Sequence, residues 1–99
     1  MEGSRFAWDK RKDATNRKKH GISFDEAESV FYDEYARLIH NPEHSADEDR
    51  FIILGLSARL RLLVVCHCYR ENEQIIRIIS ARKADKFEQQ QYKEHRHER

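Results

Sequence analysis

Three apolar runs in the second half of the chain, "RFIILGLS" (50–57), "LRLLVVCHCY" (60–69) and "QIIRIISA" (74–81), leave little choice of architecture. They are rich in Val, Ile, Phe and Tyr, and only tight turns fit between them, around Ser57–Arg59 and Arg70–Glu73. Connections this short join antiparallel neighbours, so the spacing predicts a meander of three strands. "YARLI" (35–39) reads as a fourth strand and "RFAW" (5–8) as a short N-terminal one, while "NPEHSADED" (41–49) is an acidic loop to which no role is assigned.

Helical signals occupy the rest. Asp9 can cap a helix over "KRKDATNRKKH", which Gly21 ends at the position after the C-cap. That helix has few apolar residues, Ala14 being the clearest, and belongs on the surface. In "ISFDEA", Ser23 with Glu26 three residues on forms a capping box, and Ile22 with Ala27 a hydrophobic staple. Phe24, Ala27, Val30 and Phe31 then share a face at helical spacing. "DKFEQQQYKEHRHER" is a polar helix anchored by Phe87 and Tyr92. The order (short strand, two helices, antiparallel sheet of three to four main strands, helix) predicts one α+β domain over residues 1–99.

Charge bears on partners. Net charge is +1, yet residues 1–20 carry seven Lys/Arg against three acids, residues 21–50 two against nine, and residues 51–99 ten against six. Two basic segments flank an acidic one, so a fold that joins the ends makes a cationic face. No apolar run is long enough to cross a bilayer, and "MEGSRFAWDK" has no signal-peptide core. Cys66 and Cys68 share a strand face at a spacing awkward for a disulfide, which predicts reduced thiols and a cytoplasmic protein. His95 and His97 are badly spaced for a helical metal pair, and no phosphate-loop or dinucleotide fingerprint occurs, so neither metal nor cofactor is expected.

Cations on an apolar strand are the feature most in need of a reason. By simple alternation, Arg77 shares a face with Ile75 and Ile79, opposite Ile76, Ile78 and Ser80. If helices cover one face, the Arg77 face is the open one. His67 alternates with Cys66 and Cys68, which directs it toward the Arg77 face as a base or acid, or leaves it a structural residue. Lys12, Lys18, Lys19 and His20 on the first helix can contact a nucleic-acid backbone, or remain a solvated face. Tyr92 can lend a hydroxyl or stack on a base, or simply anchor its helix.

"FAWDKRKDATNRKKHGISFDEA", "LVVCHCYRE" and "IIRIISARKA" together closely resemble BrnT-type toxins of bacterial type II toxin–antitoxin systems, from Phe6 to Tyr92. The resemblance implies a RelE-like fold and an RNA-cleaving activity that inhibits translation. It also implies a BrnA-like antitoxin with a ribbon-helix-helix part, so that DNA is met only through the antitoxin. An antitoxin that dimerises would give an assembly with two toxin copies, and the short apolar runs predict no membrane partner. Within the resemblance, Arg82 in "SARKA" is expected to contact phosphate, Lys83 is a further RNA contact that points to the opposite side if the strand continues, and Arg70–Glu71 matches a pair associated with the active site. Metal-free RNA cleavage needs a base for the 2′-hydroxyl, cations for the phosphoryl oxygens and an acid for the leaving oxygen. Arg suits the middle task, and Glu71, His67 or Tyr92 the proton transfers. The alternative is a catalytically silent protein that joins the antitoxin as co-repressor.

Overall fold

The computed structural model describes residues 5–41, 50–70, 72 and 74–97. Strands β1 (Arg5–Ala7), β2 (Arg37–Asn41), β3 (Arg50–Leu56), β4 (Leu62–Arg70) and β5 (Ile75–Lys83) form one sheet in the order β1-β5-β4-β3-β2. The β2–β5 pairings are antiparallel, as the short turns demand. β1 adds in parallel at the far edge of β5, which makes the sheet five-stranded and mixed. Strand composition contains no signal for that partner choice.

Two apolar layers sandwich the sheet. On one face, Ile53, Leu63, Val65, Ile78 and Ala81 pack with Ile22, Phe24, Ala27 and Val30. The last four come from helix α2 (Phe24–Ser29), the residue before its cap and the 3₁₀ turn Val30–Tyr32 that follows. That turn approaches β3 closely: a Cβ on Gly55 would lie 2.9 Å from Val30 Cγ1 and 3.0 Å from Ala36 Cβ, so no larger residue fits there. On the other face, helix α3 (Lys86–His97) covers only one end, where Tyr92 and Ala84 pack on Leu54 and Val64. The rest of that face is uncovered by any described helix.

Helix α1 (Lys10–His20) has the caps its sequence calls for. Asp9 accepts from the Arg11 N–H, and Gly21 at φ 74° donates to the Arg17 carbonyl. Its single buried residue is Asn16, which replaces an apolar stripe. Asn16 Nδ2 donates to the Ala81 and Ile22 carbonyls (2.8 and 2.9 Å), and its Oδ1 accepts from the Ala81 N–H (3.1 Å). One amide thus pairs the β5 edge as a neighbouring strand would, and fixes α1 beside it.

One cap expectation and one anchor expectation change. Ser23 accepts the Glu26 N–H (3.1 Å), but the Glu26 carboxylate turns instead to Arg61 and Ser57. The reciprocal box lies at α3, where Asp85 N–H donates to Glu88 Oε1 and Glu88 N–H to Asp85 Oδ1. Phe87 does not anchor α3, being 71% exposed.

Candidate nucleic-acid interface

A bulge decides which side chains meet. Cys66 pairs with Ser80 and His67 with Ile78, so Ile79 is an extra residue on β5. The bulge shifts the phase expected from simple alternation. Ile76 and Ile78 are buried, whereas Ser80 is exposed and faces, with Ile79, the uncovered side of the sheet.

Beside α3 on that side lies an open cavity of about 270 Å³ bounded by Arg50, Cys66, Ser80 and Arg82, with His20 at its rim. Arg50 was not singled out by sequence, because it opens a strand directly after the acidic stretch read as a loop, of which 42–49 lie outside the described residues. Its Nε is buried yet has no hydrogen-bond partner among the described residues. Natural proteins rarely leave a buried donor unpaired, and a binding role is one accepted reason for doing so. Burial pushes the Cys66 thiol up, and the nearby Arg50 charge opposes that shift.

Arg82 is held by Glu88. Arg82 Nη1 and Nη2 donate to the two carboxylate oxygens, both at 2.8 Å, and the side chain remains 44% exposed. The hydrogen bond from Arg82 holds the Glu88 carboxyl below its usual range. This fork is the geometry an arginine offers to a phosphate. Arg77 lies across from Cys68, and Arg50, just before Phe51, the partner of His67, is level with the same cysteine on the other side. Two strand spacings put their backbones about 10 Å apart. Arg70, at the end of β4, pairs with Ile75, six ladder positions from Val64, the partner of Arg82. That is about 20 Å along the strand, so Arg70 and Arg82 do not converge at one phosphate. Lys83 sits opposite Leu63, a residue of the helix-covered face, and so projects away from Arg82.

A second cavity, of about 280 Å³, continues the first across the β5 edge. Lys12 and Lys19 line it with Asn16, and His20, Ile79 and Ser80 belong to both cavities. The two form one cationic groove running from β3 over β5 onto α1. Lys18 is exposed and lines neither part.

Two of the expected catalytic side chains lie elsewhere, and one is outside the described residues. His67 does not share the Arg77 face: it is fully buried on the helix-covered side, ringed by Phe31, Phe51 and Tyr69. Burial pushes its pKa down to about 4. Tyr92 is buried against the sheet and donates to Asp33 Oδ2 at 2.6 Å, and burial together with that carboxylate pushes its pKa up to about 12. It anchors α3. Glu71 falls outside the described residues.

Fold and groove define a class: a small α+β domain with a helix-covered sheet face and a second face that offers arginines to solvent. A family described as the ribonuclease toxin BrnT of type II toxin–antitoxin systems matches residues 8–88. The chain belongs to that family. Among solved structures, the Brucella abortus ribonuclease toxin BrnT is similar, with a TM-score of 0.65 and 25% identity over 84% of this chain and 99% of that one. No curated protein matches. Among the described residues, no helix is long and apolar enough to cross a membrane, and no three His, Cys, Asp or Glu side chains gather as a metal-holding group.

Proposed function

We propose that this chain is the toxin of a type II pair and a metal-independent endoribonuclease that stops translation. The RNA backbone lies along the groove, Arg50 and Arg82 stabilise charge on the phosphoryl oxygens, and the 2′-hydroxyl attacks the adjacent phosphorus; Arg77 lines neither cavity and meets the RNA strand only where it leaves the groove. Lys12 and Lys19 add sequence-independent, salt-sensitive affinity. The observation that carries this reading is the buried Arg50 Nε–H without a partner in a cavity shared with Arg82. A phosphate oxygen would satisfy that donor, and the open cavity has room for a phosphodiester.

The antitoxin, a BrnA-like ribbon-helix-helix protein, covers the same groove with a helical segment whose acidic side chains stand in for phosphate. Glu88 on Arg82 already occupies such a place within the chain. That occupancy also favours a second reading, a silent partner that only joins the antitoxin as co-repressor. Antitoxin-free wild type and Arg82→Ala, compared for RNA cleavage and growth arrest with and without chelator, separate the two. The enzyme reading expects chelator-resistant cleavage by wild type and at least a ~100-fold loss in the variant. Wild type that neither cuts RNA nor slows growth at matched expression supports the silent partner instead.

A further inference from the structure

Cleavage by 2′-hydroxyl attack requires a proton acceptor, and the groove offers very few. Among the described residues no carboxylate lines either part of it, and Glu88, which reaches in to Arg82, has both oxygens engaged by that guanidinium and is held below its usual range by it. Burial raises the Cys66 thiol further from neutrality, and Ser80 is a hydroxyl. His67 is sealed in the core on the other face. His20 remains, half-buried at the end of α1 and bordering both cavities. Histidine is the side chain that ordinarily exchanges protons near neutrality.

We infer that His20 is the general base of the groove, taking the 2′-hydroxyl proton of an RNA strand laid between Arg82 and Lys19. The inference rests on the RNA-cleaving reading above. In the step, the imidazole nitrogen accepts the 2′-proton as the 2′-oxygen bonds to phosphorus. The bond from phosphorus to the 5′-oxygen breaks, that oxygen takes a proton from water, and a 2′,3′-cyclic phosphate and a 5′-hydroxyl end result. The imidazolium then returns its proton to solvent.

The fold holds His20 in place by means unrelated to its ring. Asn16, one helical turn earlier, is bonded to Ala81 of β5, and the left-handed Gly21 ends the helix directly after His20. The base therefore stands on a rigid element next to Ser80 and the bulge, as a positioned catalytic group requires. The charged and titratable groups that border the groove with it are Arg50 on β3, Cys66 on β4, Arg82 on β5, and Arg11, Lys12 and Lys19 on α1. All but Cys66 are cationic, so they attract phosphate but cannot accept its neighbour's proton.

The test uses the full chain without antitoxin, a short single-stranded RNA oligonucleotide, and single-turnover rates across pH for wild type, His20→Gln and His20→Ala. His20→Gln, which keeps size and hydrogen bonding, guards against misfolding, checked by its thermal midpoint. The expected result is a loss of at least ~100-fold, disappearance of the acidic limb of the pH–rate profile, partial rescue of His20→Ala by added imidazole, and RNA affinity unchanged within a few-fold. A variant that cuts at the wild-type rate, or one slowed equally at every pH and deaf to imidazole, overturns the assignment while leaving the RNA-cleaving reading intact. Wild type that does not cut the RNA overturns both.

Discussion

Replacing Arg50 by Met should make the antitoxin-free protein more stable and a poorer binder of RNA. The Arg50 Nε–H is removed from water and bonded to nothing among the described residues, a state that costs about 1–3 kcal/mol for a buried donor. Methionine keeps most of the apolar stem and carries no donor, so the loss of packing is small. Taking the low end of the range, the variant gains about 1 kcal/mol, or about 4–8 °C in Tm for a domain of this size. Urea unfolding followed by the fluorescence of Trp8 reads the gain as a higher midpoint at unchanged slope. The same variant, titrated with single-stranded RNA at several salt concentrations, should lose one phosphate contact, lowering the salt slope by about 0.7. A fall in midpoint would show that Arg50 makes bonds that hold the fold. An unchanged salt slope would show that its guanidinium never meets a phosphate. Either result refutes the reasoning that an unpaired donor is kept for a ligand.

Three further outcomes are expected. Glu88→Gln keeps the capping partner of Asp85 but removes the charge that engages Arg82, so RNA affinity at low salt rises about three- to tenfold with little change in midpoint. Weaker binding by that variant would count against Arg82 as a phosphate contact. Tyr92→Phe loses the bond to Asp33 and about 1.5–3 kcal/mol in urea unfolding, while cleavage per folded molecule stays at the wild-type level. A selective loss of cleavage would return Tyr92 to the site. His67, depressed by burial from 6.5 to about 4, gives stability that is complete above about pH 6.5 and is lost as pH falls toward 4, worth roughly 3 kcal/mol across that window. Unfolding midpoints of wild type and His67→Leu measured over that range should diverge in slope, and parallel curves would exclude the buried, neutral imidazole.

Much of the fold could be read from residue order alone. The caps of α1 and α2, the burial of Ile22 and Ala27 in one core cluster, the three strands and their antiparallel joining all follow from spacings of a few residues. Such signals are local, since a cap or a turn concerns neighbours in the chain. The parallel docking of β1 on β5 and the Asn16 bridge to Ala81, 65 residues away, have no local signature. Arg61, reaching back to Glu26 and so breaking the expected Ser23–Glu26 box, is another such long-range partner.

The candidate site divides along the same line. Residue types and the family motifs were enough to pick out Arg77, Arg82, Lys12, Lys19 and His20, since cations on strand ends and a basic helix are visible in the string. Whether they face one another depended on the single extra residue at Ile79. It turns Ser80 to the open face of the sheet and leaves Ile78, opposite His67, in the core. A one-residue insertion in one strand cannot be seen from that strand's own alternation, because it exists only relative to a partner. Arg50 escaped notice for a related reason. Its unpaired nitrogen is a fact about what surrounds it in the folded sheet, which the residues next to it in the chain do not show. The order of residues therefore determined which elements form and which cations are available, and the assembled sheet alone decided which of them share a groove.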